Sequence, residues 1–153
     1  MILKKKEILE YQKNRDPYLM IDEATEVVPG KLANGFKILG GIEDEWFFQV
    51  HWPGDPNMPG MLQIEAMTQM CALSILTLPG NKGKTIYLSS ANNLKFIHKI
   101  LPRSKFEIFT KVKSFNRGIA ICNGEGKVKN LTVCKADFVL ILPDELKKYK
   151  ISK

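Results

Sequence analysis

Residues 60–77, GMLQIEAMTQMCALSILT, contain no proline and no internal glycine, and they read as one helix. That helix is apolar around most of its circumference, so it has to be buried on nearly all sides. Its polar exceptions Glu65, Thr68 and Gln69 stand at i, i+3 and i+4 and therefore share one face. Pro79-Gly80-Asn81 ends it. Whatever else the chain forms must wrap around this element.

The rest of the chain supplies the wrapping. Residues 3–12 read as a short amphipathic helix, broken by Asn14-Arg15-Asp16-Pro17. Residues 18–29 form a short extended run closed by Pro29-Gly30, and residues 31–41 a strand ending at Gly40-Gly41. Beyond the central helix, residues 84–100 are extended, and 105–116 with 117–128 make a hairpin about Asn116-Arg117-Gly118. Residues 131–142 close the set, and the basic stretch 144–153 reads as a frayed helix or tail. These strands exceed the usual five or six residues, which predicts a long, curved sheet. A buried helix and long antiparallel strands make an α+β architecture in a single domain spanning 1–153.

Composition narrows the classes. No stretch approaches the roughly 18 apolar residues of a membrane span, and Met1-Ile2-Leu3 runs straight into Lys4-Lys5-Lys6, unlike a secretory signal. The expectation is a cytoplasmic protein with no membrane partner. Cys71, Cys122 and Cys134 lack CxxC spacing and sit in apolar contexts, so they read as buried thiols. His51 and His98 have no ligating neighbours at metal spacing, and no metal or other cofactor is expected. Charge is uneven: residues 1–81 carry 7 Lys/Arg against 11 Asp/Glu, whereas residues 82–153 carry 16 against 5. A basic half predicts an acidic partner, but the lysines lack the interleaved aromatics of a single-strand nucleic-acid surface, and no nucleic acid is expected.

The chemistry concentrates where the helix begins. His51-Trp52-Pro53-Gly54-Asp55-Pro56-Asn57-Met58-Pro59-Gly60 packs three prolines and two glycines into ten residues, which forbids regular structure there. The N–H groups of the helix's first turn lack intrahelical acceptors, and with the helix dipole they suit a developing negative charge. A thioester carbonyl becoming an enolate is such a charge, and Gly60 has no side chain to keep a substrate from the backbone. His51, on the proline-stiffened loop, is a base that titrates near neutrality. Glu65 is the one carboxyl on the greasy helix and the candidate acid. Alternatively, His51 is a solvated loop residue and Glu65 a structural carboxylate paired with Arg15 or a lysine.

A resemblance selects between these readings. The run from Phe47 to Gln69 is similar to the signature of bacterial 3-hydroxyacyl-acyl-carrier-protein dehydratases, roughly Phe-Phe-x-Gly-His-Phe-Pro-x-x-Pro-x-x-Pro-Gly-Val-Leu-x-x-Glu-Ala-Met-Ala-Gln, with His51 and Glu65 at the family's fourteen-residue spacing. Arg15-Asp16-Pro17-Tyr18-Leu19-Met20-Ile21-Asp22 resembles its Arg-Tyr-Pro-Phe-Leu-Leu-Val-Asp, and Tyr87 and Leu94-Lys95-Phe96 also fall on family positions. The resemblance implies a hot-dog fold, a long antiparallel sheet around one central helix. It implies His51 and Glu65 as catalytic residues, with Gly60, Met61, Gln69, Tyr87 and Phe96 around the oxyanion and substrate. The implied reaction is loss of water from a (3R)-hydroxyacyl thioester to give a trans-2-enoyl thioester, in fatty-acid or specialised acyl or polyketide synthesis. The implied partners are an acidic acyl carrier protein and further copies of the chain, as a homodimer or a trimer of dimers, with His51 of one subunit facing Glu65 of the other.

The chain also departs from the pattern. Val50 replaces a glycine, Asn92 an aspartate, and Phe96-Ile97-His98-Lys99-Ile100-Leu101-Pro102-Arg103-Ser104 loses an arginine, a proline and a Gly-Asp turn. These changes leave the catalytic pair intact and point to a specialised pathway; His98 reads as a surface strand residue. Alternatives from other classes are a thioesterase on the same fold and a non-catalytic acyl-thioester-binding protein.

Overall fold

The computed structural model describes residues 1–149, so Lys150 to Lys153, the end of the expected basic tail, lie outside the described residues. In chain order the elements are β1 (Leu3–Lys4), α1 (Lys5–Tyr11), β2 (Glu23–Val28), β3 (Leu32–Ile38), α2 (Gly60–Leu76), β4 (Tyr87–Phe96), β5 (Lys105–Asn116), β6 (Ile119–Val128), β7 (Leu131–Ile141) and α3 (Pro143–Leu146), followed by a 3-10 turn at Lys147–Tyr149. One seven-stranded sheet runs β1-β2-β3-β5-β6-β7-β4, with every neighbouring pair antiparallel. The sheet wraps α2, which gives the α+β hot-dog architecture.

Period-two alternation puts one face of each strand on the helix. Phe106, Ile108 and Thr110 of β5, Ala120 and Cys122 of β6, and Ala136, Phe138 and Leu140 of β7 are buried, and their neighbours in sequence are not. α2 meets them with every residue from Leu62 to Leu76 buried except Glu65. The three cysteines are free and buried among these elements. Burial pushes the Cys134 thiol up to about 12, and hydrogen bonding to Cys71, then burial, raises Cys122, so neither is a ready nucleophile.

The β5–β6 hairpin turns at Arg117 (φ 53°) and Gly118 (φ 82°), two left-handed residues in a row, the tight-turn geometry that matches strand twist. Elsewhere tertiary pairing moves the expected boundaries. The N-terminal helix is shorter than 3–12 because Leu3 and Lys4 pair instead with Ala24 and Glu23 of β2. Residues 18–22 are not strand, although Leu19, Met20 and Ile21 are fully buried. The extended run 84–100 is regular only over β4. His98 lies in an exposed bend beyond it, not on a strand, because the chain turns there to bring the Ile100 carbonyl to the Met58 N–H at 2.9 Å.

The two sheet edges differ. β1 is a two-residue stub, whereas β4 is ten residues long and has no fully buried position. Tyr87, Leu88 and Phe96 stand out from it 61%, 38% and 47% exposed.

Candidate active site

α2 starts directly after the proline-rich loop. Pro59 precedes the first turn and offers no side-chain cap; its carbonyl accepts from the N–H groups of Leu62 and Gln63. The N–H groups of Gly60 and Met61 have no acceptor among the described residues. They form the positive end of a seventeen-residue helix. A Cβ on Gly60 would lie 2.9 Å from the Phe96 ring. The glycine therefore makes room for Phe96, and that ring shares the space the sequence reading reserved for substrate. Gly60, Met61 and Phe96 line one open groove of about 460 Å³.

Glu65 sits in the second turn of α2, half-buried. Its Oε1 accepts a hydrogen bond from Gln69 Nε2 at 2.9 Å. Gln69 is 2% exposed, and its amide also donates to the Tyr18 carbonyl at 2.9 Å and accepts from the Met20 N–H at 2.8 Å. Every polar atom of Gln69 is thus committed to positioning Glu65 and tying the 18–20 segment to the helix. Gln69 also borders the cavity onto which Glu65 opens. Glu65 and Gln69 are four residues apart on a helix, the spacing at which such side chains meet, and that was the available signal. The pairing of Glu65 with Arg15 is not found: the Arg15 guanidinium donates to the carbonyls of Leu9, Gln12 and Asn14. Glu65 makes no ion pair among the described residues.

Tyr18 is a neighbour the sequence did not single out. Partial burial first, and the Glu65 carboxylate second, raise its phenol above the ordinary value. Glu65, Gln69 and Tyr87 line a second cavity of about 330 Å³ that runs along α2 to Leu76.

His51 lies in neither cavity. Its N–H donates to the Phe47 carbonyl at 2.9 Å, which anchors it to a segment whose Phe47 and Phe48 rings are buried edge to face. Its Nδ1 stands 3.2 Å from the Asn57 carbonyl. A carbonyl only accepts, so this contact selects the Nδ1–H tautomer and leaves Nε2 with its lone pair free. A ring held this way is a base with a fixed direction. Around it Val50 is 68% and Trp52 59% exposed, and Met61 is 65% exposed at the helix start. Asn57, whose carbonyl holds the imidazole, borders the same groove as Gly60 and Met61, whereas Glu65 opens into the other cavity.

No group of three or more metal-ligating side chains occurs among the described residues, and none of the described helices is long and apolar enough to cross a membrane.

Residues 13–137 match the family model of the FabA-like domain. The chain is 36% identical over 143 residues to the 3-hydroxyacyl-[acyl-carrier-protein] dehydratase FabZ of Clostridium botulinum strain Eklund 17B, covering 92% of this chain and 99% of that protein. It is 40% identical over 135 residues to the protein of the same name from Clostridium novyi, covering 84% and 94%. Among solved structures, the dehydratase heterocomplex ApeI:P from Xenorhabdus doucetiae superposes with a TM-score of 0.73 at 13% identity, over 92% of this chain and 95% of that one. A hypothetical thioesterase from Streptococcus pneumoniae crystallised with coenzyme A gives a TM-score of 0.57 at 12% identity, over 76% and 82%. These two likenesses concern the fold.

Proposed function

The chain belongs to the FabA-like domain family, and from that premise we propose that it is a dehydratase of 3-hydroxyacyl thioesters carried on acyl carrier protein. The observation that carries the proposal is the state of Glu65. It is the one interruption in a helix otherwise buried from Leu62 to Leu76, unpaired by any cation among the described residues and hydrogen-bonded by Gln69 at the border of a cavity. A carboxyl that opens from a buried helix onto a cavity, with no ion-pair partner among the described residues, is available to a substrate bound there.

In this reading the thioester oxygen rests on the free N–H groups of Gly60 and Met61. His51 Nε2 removes the proton alpha to the carbonyl, and the charge moves to that oxygen, where the helix terminus receives it. The Glu65 carboxyl gives its proton to the departing 3-hydroxyl, which leaves as water. Reversal of the same steps hydrates the trans-2-enoyl product. Fixed amide donors at the oxyanion are worth about 3 kcal/mol of barrier.

The site is completed by a second copy of the chain. His51 and Glu65 share no cavity within one subunit, and Val50, Trp52, Met61, Tyr87, Phe96 and Ile97 leave exposed apolar surface around both. β4 adds a long open edge, which in a soluble protein is normally paired or covered. A homodimer joined along β4, with His51 of one subunit facing Glu65 of the other, accounts for all three features. An acidic carrier suits the basic half of the chain, and a cytoplasmic setting suits its three free thiols.

The test is an assay of 3-hydroxyacyl and trans-2-enoyl thioesters on acyl carrier protein, following enoyl absorbance and free thiol together. The two thioesters are expected to interconvert with no thiol released. Thiol release would make the protein a thioesterase, and tight binding without turnover of any chain length would make it an acyl-binding protein.

A further inference from the structure

The cavity behind Glu65 is lined unlike a hydrocarbon channel. Ala72 and Leu76 of α2, with Ile86 and Leu88, give it an apolar wall, but Gln12, Lys13, Asn14 and Lys84 also border it. These polar residues gather beside the last turn of α2. The Asn81 side chain donates to the Ile75 carbonyl at 3.0 Å, and the Gly83 N–H donates to the Tyr11 carbonyl at 2.9 Å. Glu65 lies three turns back, so the cavity has a carboxyl near one end and nitrogen donors near the other, roughly 16 Å apart along the helix at about 1.5 Å per residue.

The donors lack acceptors. Gln12 is 4% exposed, and its Nε2 is closed to solvent with no partner among the described residues. Such a buried donor is costly, and it backs the cavity wall. Lys13 bonds only the Thr85 hydroxyl, at 2.8 Å, and half-buried Lys84 reaches only Asn81 Oδ1, at 3.4 Å. Neither lysine has a carboxylate partner among the described residues. Two cations at the border of an acyl-sized cavity match an acceptor that carries negative charge.

We propose that this cavity takes an acyl chain ending in a carboxylate, held by Lys84 and Lys13 while its thioester end lies at Glu65. The inference rests on the dehydratase reading and names its substrate class. Separation exceeds the roughly 8 Å over which exposed charges act in physiological salt, so Glu65 does not repel the distant carboxylate.

The experiment compares hydration of trans-2-enoyl pantetheine thioesters in matched sets of several lengths: a terminal carboxylate, its methyl ester, and the plain hydrocarbon. At the fitting length the carboxylate is expected to exceed both others by about tenfold in kcat/KM, mostly through KM, the effect of one charge-assisted hydrogen bond. The ratio should fall toward one in K84M, and also in K13M, whose exposed position makes it the variant least prone to misfold. Equal use of the ester or the plain chain by the unmodified protein would overturn the proposal while leaving the dehydratase intact. Turnover of none of the three would remove the dehydratase reading, and this inference with it.

Discussion

Replacing His51 by alanine, or Glu65 by glutamine, is expected to lower kcat for enoyl hydration by about a hundred- to ten-thousandfold, the range of a general base or acid positioned in the transition state. KM should change little, because neither group binds the acyl chain in the ground state. Both variants should fold. His51 is half-buried, and its side chain makes one hydrogen bond among the described residues, to the Asn57 carbonyl. Glutamine at 65 keeps an oxygen to accept from Gln69 Nε2. Stopped-flow absorbance at the enoyl band, paired with a melting curve for each variant, separates lost chemistry from lost structure. Retention of more than about a tenth of kcat in either variant would remove that residue from the proton-transfer path.

The second large effect is structural. Gly35 of β3 faces Ala24 across the β2 ladder, beside the register shift between Ala24 and Glu26. A Cβ there would collide with the Glu23 carbonyl oxygen, lie 2.8 Å from Ala24 Cα, and press on Met70 of α2 at 2.6 Å. Two of those three atoms are backbone and cannot turn away. Gly35→Ala must therefore push β2 off β3 or lift both from the helix, an overpacking cost of about 3 kcal/mol. For a domain of this size that lowers the melting temperature by roughly 10 °C, measurable by circular dichroism at fixed protein concentration. An unchanged melt would contradict this close approach of β2 to β3.

Much of the fold was legible because the strongest signals were local. An apolar stretch without helix breakers, bounded by Pro59 and Pro79, could only be a buried helix, and α2 begins at Gly60 as the sequence reading placed it. The hairpin at Arg117-Gly118 was equally plain, since glycine marks the left-handed turn. Where pairing partners decide, the sequence was weaker. Leu3 and Lys4 have helical neighbours yet join the sheet because β2 offers an edge, and residues 97–100 keep strand-like composition while turning to meet the 51–59 loop.

The site divided in the same way. His51, Gly60 and Glu65 could be chosen because their residue types and spacing carry chemical meaning. Gln69 was placed among the substrate ligands, and it does border the cavity beside Glu65, with its amide saturated by Tyr18, Met20 and Glu65. Phe96 against Gly60, and the donors at Gln12, Lys13 and Lys84, depend on long-range packing between β4, α1 and the two ends of α2. No local pattern announces such contacts.

In the proposed mechanism His51 and Glu65 act together across two subunits. Mixing His51→Ala and Glu65→Gln proteins, each nearly inactive, under conditions that exchange subunits tests it directly. Half of the randomly exchanged dimers are mixed, and each mixed dimer holds one intact site of two. Activity should therefore recover to about a quarter of wild type. Subunit exchange can be verified independently by mass spectrometry of labelled chains. Full exchange with no recovery of activity would contradict the shared site.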